Sequence, residues 1–175
     1  MEEKKAMFRD LRANEIDCRI SQINEKGLTL LLYKDARVDM DILDETVGAK
    51  NWQRTHTRDN ANCIIEIWDE DKKQWICKED TGTESFTEKE KGLASDSFKR
   101  AGFNWGIGRE LYTAPFIYIP AKDKDGESNF EPKEKNGKVT TFTKFYVEAI
   151  QITDKIITGL AIKNDKGKRV FVYKK

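Results

Sequence analysis

Residues 52–81 constrain this chain more than any other stretch. Three β-type runs, 52–58, 63–68 and 75–81, follow one another, with the turn clusters Asp59-Asn60-Ala61-Asn62 and Asp69-Glu70-Asp71-Lys72 between them. Connections this short leave no room for a crossover, so neighbouring strands must run antiparallel. Cys63, Ile65 and Ile67 share one face while Glu66 lies on the other, the pattern of a sheet with one dry and one wet side. The period then changes. Ala94, Phe98, Ala101 and Trp105 fall on one helical stripe within 87–105. Gly82 and Ser85 punctuate the entry to this helix, and Gly106 and Gly108 mark its exit.

Upstream, residues 3–13 have helical composition. Runs at 17–23 and 28–33, joined by Asn24-Glu25-Lys26-Gly27, read as a hairpin. From Asp35, the stripe Ala36, Met40, Leu43, Val47 predicts a helix of about three turns closed by Gly48. Downstream, residues 121–141 are mostly charged or small and predict a flexible solvated loop that buries no apolar area. Strand character returns at 145–150, 156–162 and 170–173. The expected fold class is α+β: an antiparallel β-meander packed on a long helix (β-hairpin, α, β-β-β-α core) with a C-terminal β region. The expected boundaries are a core domain over 1–120, the charged loop over 121–141, and a C-terminal meander over 142–175 packed on the core.

Composition excludes several classes. The 175 residues carry 32 Lys plus Arg against 31 Asp plus Glu, a net charge of +1. A uniformly basic nucleic-acid coat is excluded, and any such site must be a local patch. No apolar run approaches a membrane span, and no signal core follows Met1-Glu2-Glu3-Lys4-Lys5. Nine Phe, five Tyr and four Trp argue against disorder. Cys18, Cys63 and Cys77 are scattered and odd in number, and the single His56 completes no zinc set with them. The expectation is a cytoplasmic protein with reduced cysteines, no cofactor and no metal.

The candidate functional residues are cations. Lys91, Lys99, Arg100 and Arg109 lie on or beside the second helix, Arg37 opens the first, and Lys34 stands just before it. Arg54, His56 and Arg58 alternate along one strand. A cationic row facing a groove suits a phosphate backbone. Charge alone favours a solvated helix face instead, since Glu88, Glu90 and Asp96 offset it. Arg37 has an alternative partner in Asp41. Gly106-Ile107-Gly108 follows a helix and lacks a third glycine, so it is no dinucleotide loop. Asp69, Asp71, Asp80 and Glu84 could suggest a metal-dependent nuclease, yet they sit at turns, where acids are ordinary. No catalytic residue is assigned.

Two stretches together resemble the single-strand annealing proteins of the Rad fifty-two family, including its phage Sak-like branch. The first comprises Tyr33-Lys34-Asp35-Ala36-Arg37-Val38, Leu43-Asp44-Glu45, Gly48 and Asn51-Trp52. The second comprises Glu79-Asp80-Thr81-Gly82-Thr83-Glu84-Ser85, Glu90-Lys91-Gly92, Ser95-Asp96-Ser97-Phe98-Lys99-Arg100-Ala101 and Gly106-Ile107-Gly108-Arg109-Glu110-Leu111-Tyr112. The resemblance covers roughly 31–112 with order and spacing intact. It implies a strand meander backed by a long helix. It also implies ATP-independent binding and annealing of single-stranded DNA, and assembly as a homo-oligomeric ring or helical filament. It places Arg37, Lys99 and Arg100 on the DNA groove, with Lys91 supporting. The expected setting is homologous recombination and repair, with a phage exonuclease or a host single-strand-binding protein as candidate partner. Phe103 stands where eukaryotic relatives carry another arginine, so either the groove loses a cation or Arg109 supplies one. The alternatives are a monomeric nucleic-acid-binding module resembling double-stranded-RNA binders, and a metal-dependent nuclease.

Overall fold

The computed structural model describes residues 8–83 and 89–175, giving only the backbone of residues 89–91. The elements are the strands β1 (Asp17–Ile23) and β2 (Gly27–Tyr33), helix α1 (Ala36–Val47), and the strands β3 (Trp52–Thr57), β4 (Asn62–Asp69) and β5 (Gln74–Thr81). Helix α2 (Lys89–Trp105) follows, then β6 (Ile117–Pro120), β7 (Lys133–Lys135) and β8 (Lys138–Thr140). The chain ends in β9 (Phe145–Thr153), β10 (Ile156–Asn164) and β11 (Arg169–Lys174). All strand pairings are antiparallel, and the fold class is α+β as expected. No helix among the described residues is long and apolar enough to cross a membrane.

The chain forms two compact units. One holds Met1–Asp10 with Asp35–Arg109, the other Leu11–Lys34 with Glu110–Lys175. This corrects the expected boundaries. The hairpin does not group with the meander; β1 pairs with β9, which joins it to the C-terminal strands in one sheet ordered β11-β10-β9-β1-β2-β6. Hydrophobic patterning along one strand names its wet and dry faces but not its neighbour across the sheet.

In the first unit, the meander pairs as β3-β4-β5. Its inner face carries Cys63, Ile65 and Ile67, all buried, against α2. The Phe98 ring is fully buried and stacks on Trp52 at 6.2 Å. Helix α1 is capped at its start by Asp35, whose carboxylate accepts the Arg37 N–H, and stops at Gly48, φ 84°. Its buried face runs through Asp39, Ile42 and Leu43, rotated from the expected stripe, in which Ala36, Met40 and Val47 are only partly covered. The rotation brings Asp39 to Gly102 of α2, where an added methyl would stand 2.4 Å from Asp39 Oδ1. The helical reading of 3–13 falls mostly outside the described residues; over 8–12 the chain is irregular, followed by a single 3-10 turn at Ala13–Glu15.

In the second unit, Leu28, Leu30, Ile117, Ile119, Phe145 and Val147 line one face of the sheet, and Ile157, Leu160 and Ile162 complete its core. β11 returns to lie against β6, so the sheet curls towards closure. The 121–141 segment departs from the expected loop. It contains the β7–β8 hairpin and places Phe130 in the core at 2% exposure. Buried Asn129 and Asn164 fasten it: Asn129 Nδ2 donates to Pro120 O, and Asn164 Nδ2 donates to Asn129 O. One aromatic among many charges was enough to anchor the segment, which average composition conceals.

Gly82 lets the chain leaving β5 pass close to α2. A methyl group there would stand 2.6 Å from Ser97 N and 3.0 Å from Leu93 O, both backbone atoms with little freedom to move. Gly82→Ala should therefore destabilise the protein by roughly 1–3 kcal/mol, read as a lowered urea midpoint at unchanged slope.

Candidate nucleic-acid interface

The meander's inner face is cationic at both flanks. Register places Arg54 on β3, Ile65 on β4 and Lys78 on β5 in one row. The Arg54 guanidinium lies 4.7 Å from the Phe98 ring centre, and Lys78 Nζ lies 4.6 Å from the Trp105 ring centre. Lys78 Nζ also donates to Asn104 O at 2.8 Å. Cations near an aromatic face and a helix C-terminus are favoured by the ring quadrupole and the helix dipole. Sequence reasoning missed Lys78. Its signal was available only as an alternating position directly across from Ile65.

The end of α2 explains the Gly-x-Gly. Gly106 N donates to Phe103 O and Ile107 N to Gly102 O, with Gly106 at φ 98° and Ile107 fully buried. This is the paired-bond helix stop that needs a left-handed residue. Arg109 folds back over it, donating to Phe103 O at 2.8 and 3.1 Å and to Asn104 O at 3.2 Å. Arg109 thus caps these carbonyls and keeps its exposed charge beside Phe103.

Arg37 and the α2 cations share one electrostatic neighbourhood. Arg37 Nε donates to Asp35 Oδ1 at 2.8 Å and Nη2 to Oδ2 at 3.2 Å, while the guanidinium stays largely exposed. Its hydrogen-bonded partner is Asp35, and Asp41, the alternative, acts on it only through charge. The guanidinium bonds, then the Arg37 N–H, hold the Asp35 carboxyl down at about 2 against desolvation, with the charges of Arg37 and then Lys99 adding the smallest shares. Arg100 Nε donates to Asp96 Oδ2 at 2.9 Å, and Asp96 also accepts from Thr83 N at 2.8 Å. Partial burial pushes the Asp96 carboxyl up, but the bonds from Thr83 and Arg100 and the charge of Lys99 outweigh it, and the net shift is downward. Lys99 therefore acts on both carboxylates at once. It makes no hydrogen bond or ion pair with any described residue.

The other candidates separate from this cluster. Lys34 is 1% exposed and belongs to the second unit, which removes it from any solvent-facing cationic surface. Arg58 lies beyond β3 at a turn with φ 52°, so it does not continue the Arg54–His56 alternation. The side chain of Lys91 lies outside the described residues. Two of the four acids considered for a nuclease have separate duties. Asp69 accepts the Lys72 N–H, and Asp80 accepts from Thr81 N and Asn104 Nδ2; Glu84 lies outside the described residues. No three His, Cys, Asp or Glu side chains among the described residues converge as a metal set.

Much of the motif-bearing sequence serves packing. Asn51 Nδ2 caps Val47 O at the end of α1, and Trp52 Nε1 donates to Asp44 Oδ1, tying β3 to α1. Trp105 Nε1 donates to Ile65 O, tying α2 to β4. Comparison with family models, curated proteins and solved structures finds no match to this chain.

His56 sits beside this cluster, 3.4 Å from Ser97 Oγ. Desolvation, then the charge of Arg54, lower its pKa below 6.5. Below pH 6.5 the unfolded chain takes up this proton before the folded protein does. Stability should therefore fall as pH drops below 6.5, levelling once the folded imidazole also protonates. Urea midpoints across pH 5–8 should show this slope, and His56→Gln should flatten it; an NMR titration of the sole histidine should give a value below 6.5.

Proposed function

We propose that this protein binds single-stranded DNA through its phosphates and anneals complementary strands without ATP, as a homo-oligomeric ring or helical filament. The observation that carries the reading is the packing of α1 on α2, with Asp39 set against Gly102 and the Arg37 guanidinium left largely exposed at the start of α1. This packing sets the start of α1 and the middle of α2 in one unit, where the charge of Lys99 reaches Asp35 and Arg100 follows Lys99 directly. Annealing needs bases left free to pair, so a grip on backbone by an exposed Arg37 and the half-buried Lys99 and Arg100 suits it better than a base-reading groove. Arg54, held near the same helix over Phe98, extends the patch.

Assembly is supported by the meander's edges. Among the described residues β3 and β5 each pair on one side only, and unpaired strand edges invite pairing with another copy. An oligomer would repeat one local basic patch many times, giving a strong field from a chain of net charge +1. The setting proposed is recombination and repair in the cytoplasm, in a bacterial host if the chain is phage-encoded. A phage exonuclease or a host single-strand-binding protein is the proposed partner.

The Lys99→Ala, Arg100→Ala double variant should bind single-stranded DNA at least about tenfold more weakly. Its salt dependence should be shallower by about 1.4 in log–log slope, because two phosphate contacts are lost. Annealing of complementary oligonucleotides should slow in parallel, while light scattering shows the same oligomer. Arg37→Ala should act in the same direction. Unchanged annealing in an assembled double variant would remove the assignment, and a strict monomer with and without DNA would favour the monomeric binding module instead.

A further inference from the structure

The second unit carries a cleft that the phosphate-binding patch does not involve. β1 and β9 pair only at Asp17–Tyr146 and then part. A cleft of about 370 Å³ opens there, lined by Asp17, Arg19, Tyr33, Lys144 and Tyr146 among others. Volumes of this order accommodate small ligands. Asp17 is registered with Tyr33 on β2 and with Tyr146 on β9, so the two tyrosines flank it from either side. Two strand spacings set their backbones about 10 Å apart. A flat ring between them needs two contact gaps of about 3.5–4 Å each. The strand spacing thus admits one planar ligand between the two tyrosine positions. Tyr33 and Tyr146 are 42% and 45% exposed, which leaves ring area open to the cleft.

The polar groups narrow the ligand. Asp17, Arg19 and Lys144 make no side-chain hydrogen bond or ion pair with any described residue. Exposed cations at the rim suit a phosphate. A carboxylate between the rings repels phosphate but accepts two adjacent N–H donors. Among the nucleobases only guanine offers such a pair, N1–H beside the exocyclic amine. Adenine and cytosine set an acceptor next to their amine, and thymine and uracil flank their N–H with two carbonyls.

We infer that the cleft between β1 and β9 binds one guanine base, stacked between Tyr33 and Tyr146 and held at its pairing edge by Asp17, with Arg19 and Lys144 taking its phosphate. The base comes either from an unpaired position in a single strand or from a free guanine nucleotide. The inference stands apart from the Lys99–Arg100 patch, which lies in the other unit.

The test titrates the full chain with the four nucleoside monophosphates by saturation-transfer NMR. Guanosine monophosphate should bind about tenfold better than the other three. Tyr146→Leu should weaken it about tenfold through lost stacking, and Tyr146→Phe should restore it. Asp17→Asn should erase the preference for guanine. Should Tyr146→Leu fail to fold by circular dichroism, Tyr33→Leu reads the same contact. A second arm compares twenty-nucleotide thymine strands with and without one central guanine. A guanine advantage that Asp17→Asn abolishes identifies the single strand as the source; no advantage, with the mononucleotide still bound, identifies the free nucleotide. The Lys99→Ala, Arg100→Ala variant should keep guanosine monophosphate binding, which separates this site from the proposed annealing patch. No nucleotide bound in either arm, or binding indifferent to Tyr146→Leu, would overturn the inference.

Discussion

The candidate surface depends on Phe98. Its ring is fully buried, stacked on Trp52, and covered on the β3 side by the Arg54 guanidinium. Burying a side chain of this size contributes about 1.5–3 kcal/mol. More important here, it fixes the rotation of α2 on the meander. At about 100° per residue, once Phe98 points into the sheet, Lys99 and Arg100 must point elsewhere. Asp96 then follows four residues before Arg100, where an i,i+4 pair can form. The cationic surface is a consequence of the packing on the opposite side of the same helix.

Its acids have a role of their own. Asp35 caps α1 and holds Arg37; Asp96 holds Arg100 and the backbone of Thr83, just beyond β5. An anion engaging either arginine must displace or share a carboxylate, so the patch is pre-shaped yet its full charge is not displayed. Surface pairs of this kind contribute little to stability, about 0–1 kcal/mol each. Their main effect is to fix geometry. Lys99 differs, since its ammonium acts on both acids and bonds to neither.

The two units manage exposed strand structure differently. In the first, α2 covers one face of the meander, and no described residue pairs with the outer edges of β3 and β5. In the second, the sheet curls until β11 meets β6, and the interruption appears instead between β1 and β9. Each arrangement leaves backbone hydrogen-bonding groups at a defined place, and these are the places where another chain or ligand gains most from binding.

Local chemistry in the sequence determined the hairpin at Asn24–Gly27, the stop of α1 at Gly48, the meander with its turns, α2 with Phe98 facing inward, and the three final strands. Each follows from turn residues or from a period of 2 or 3.6 within a few residues. The grouping of Arg37 with Lys99 was legible only through resemblance, because sixty-two positions separate them in the chain and no period links them. Tertiary structure alone decided the rest. It paired β1 with β9, drew Phe130 out of a charged segment into the core, buried Lys34, committed Arg109 to the carbonyls of α2, and set Lys78 over Trp105. All of these are relations between residues distant in sequence. They are fixed by which surfaces exclude water together and which carbonyls remain to be satisfied, and neither quantity exists until the chain has folded.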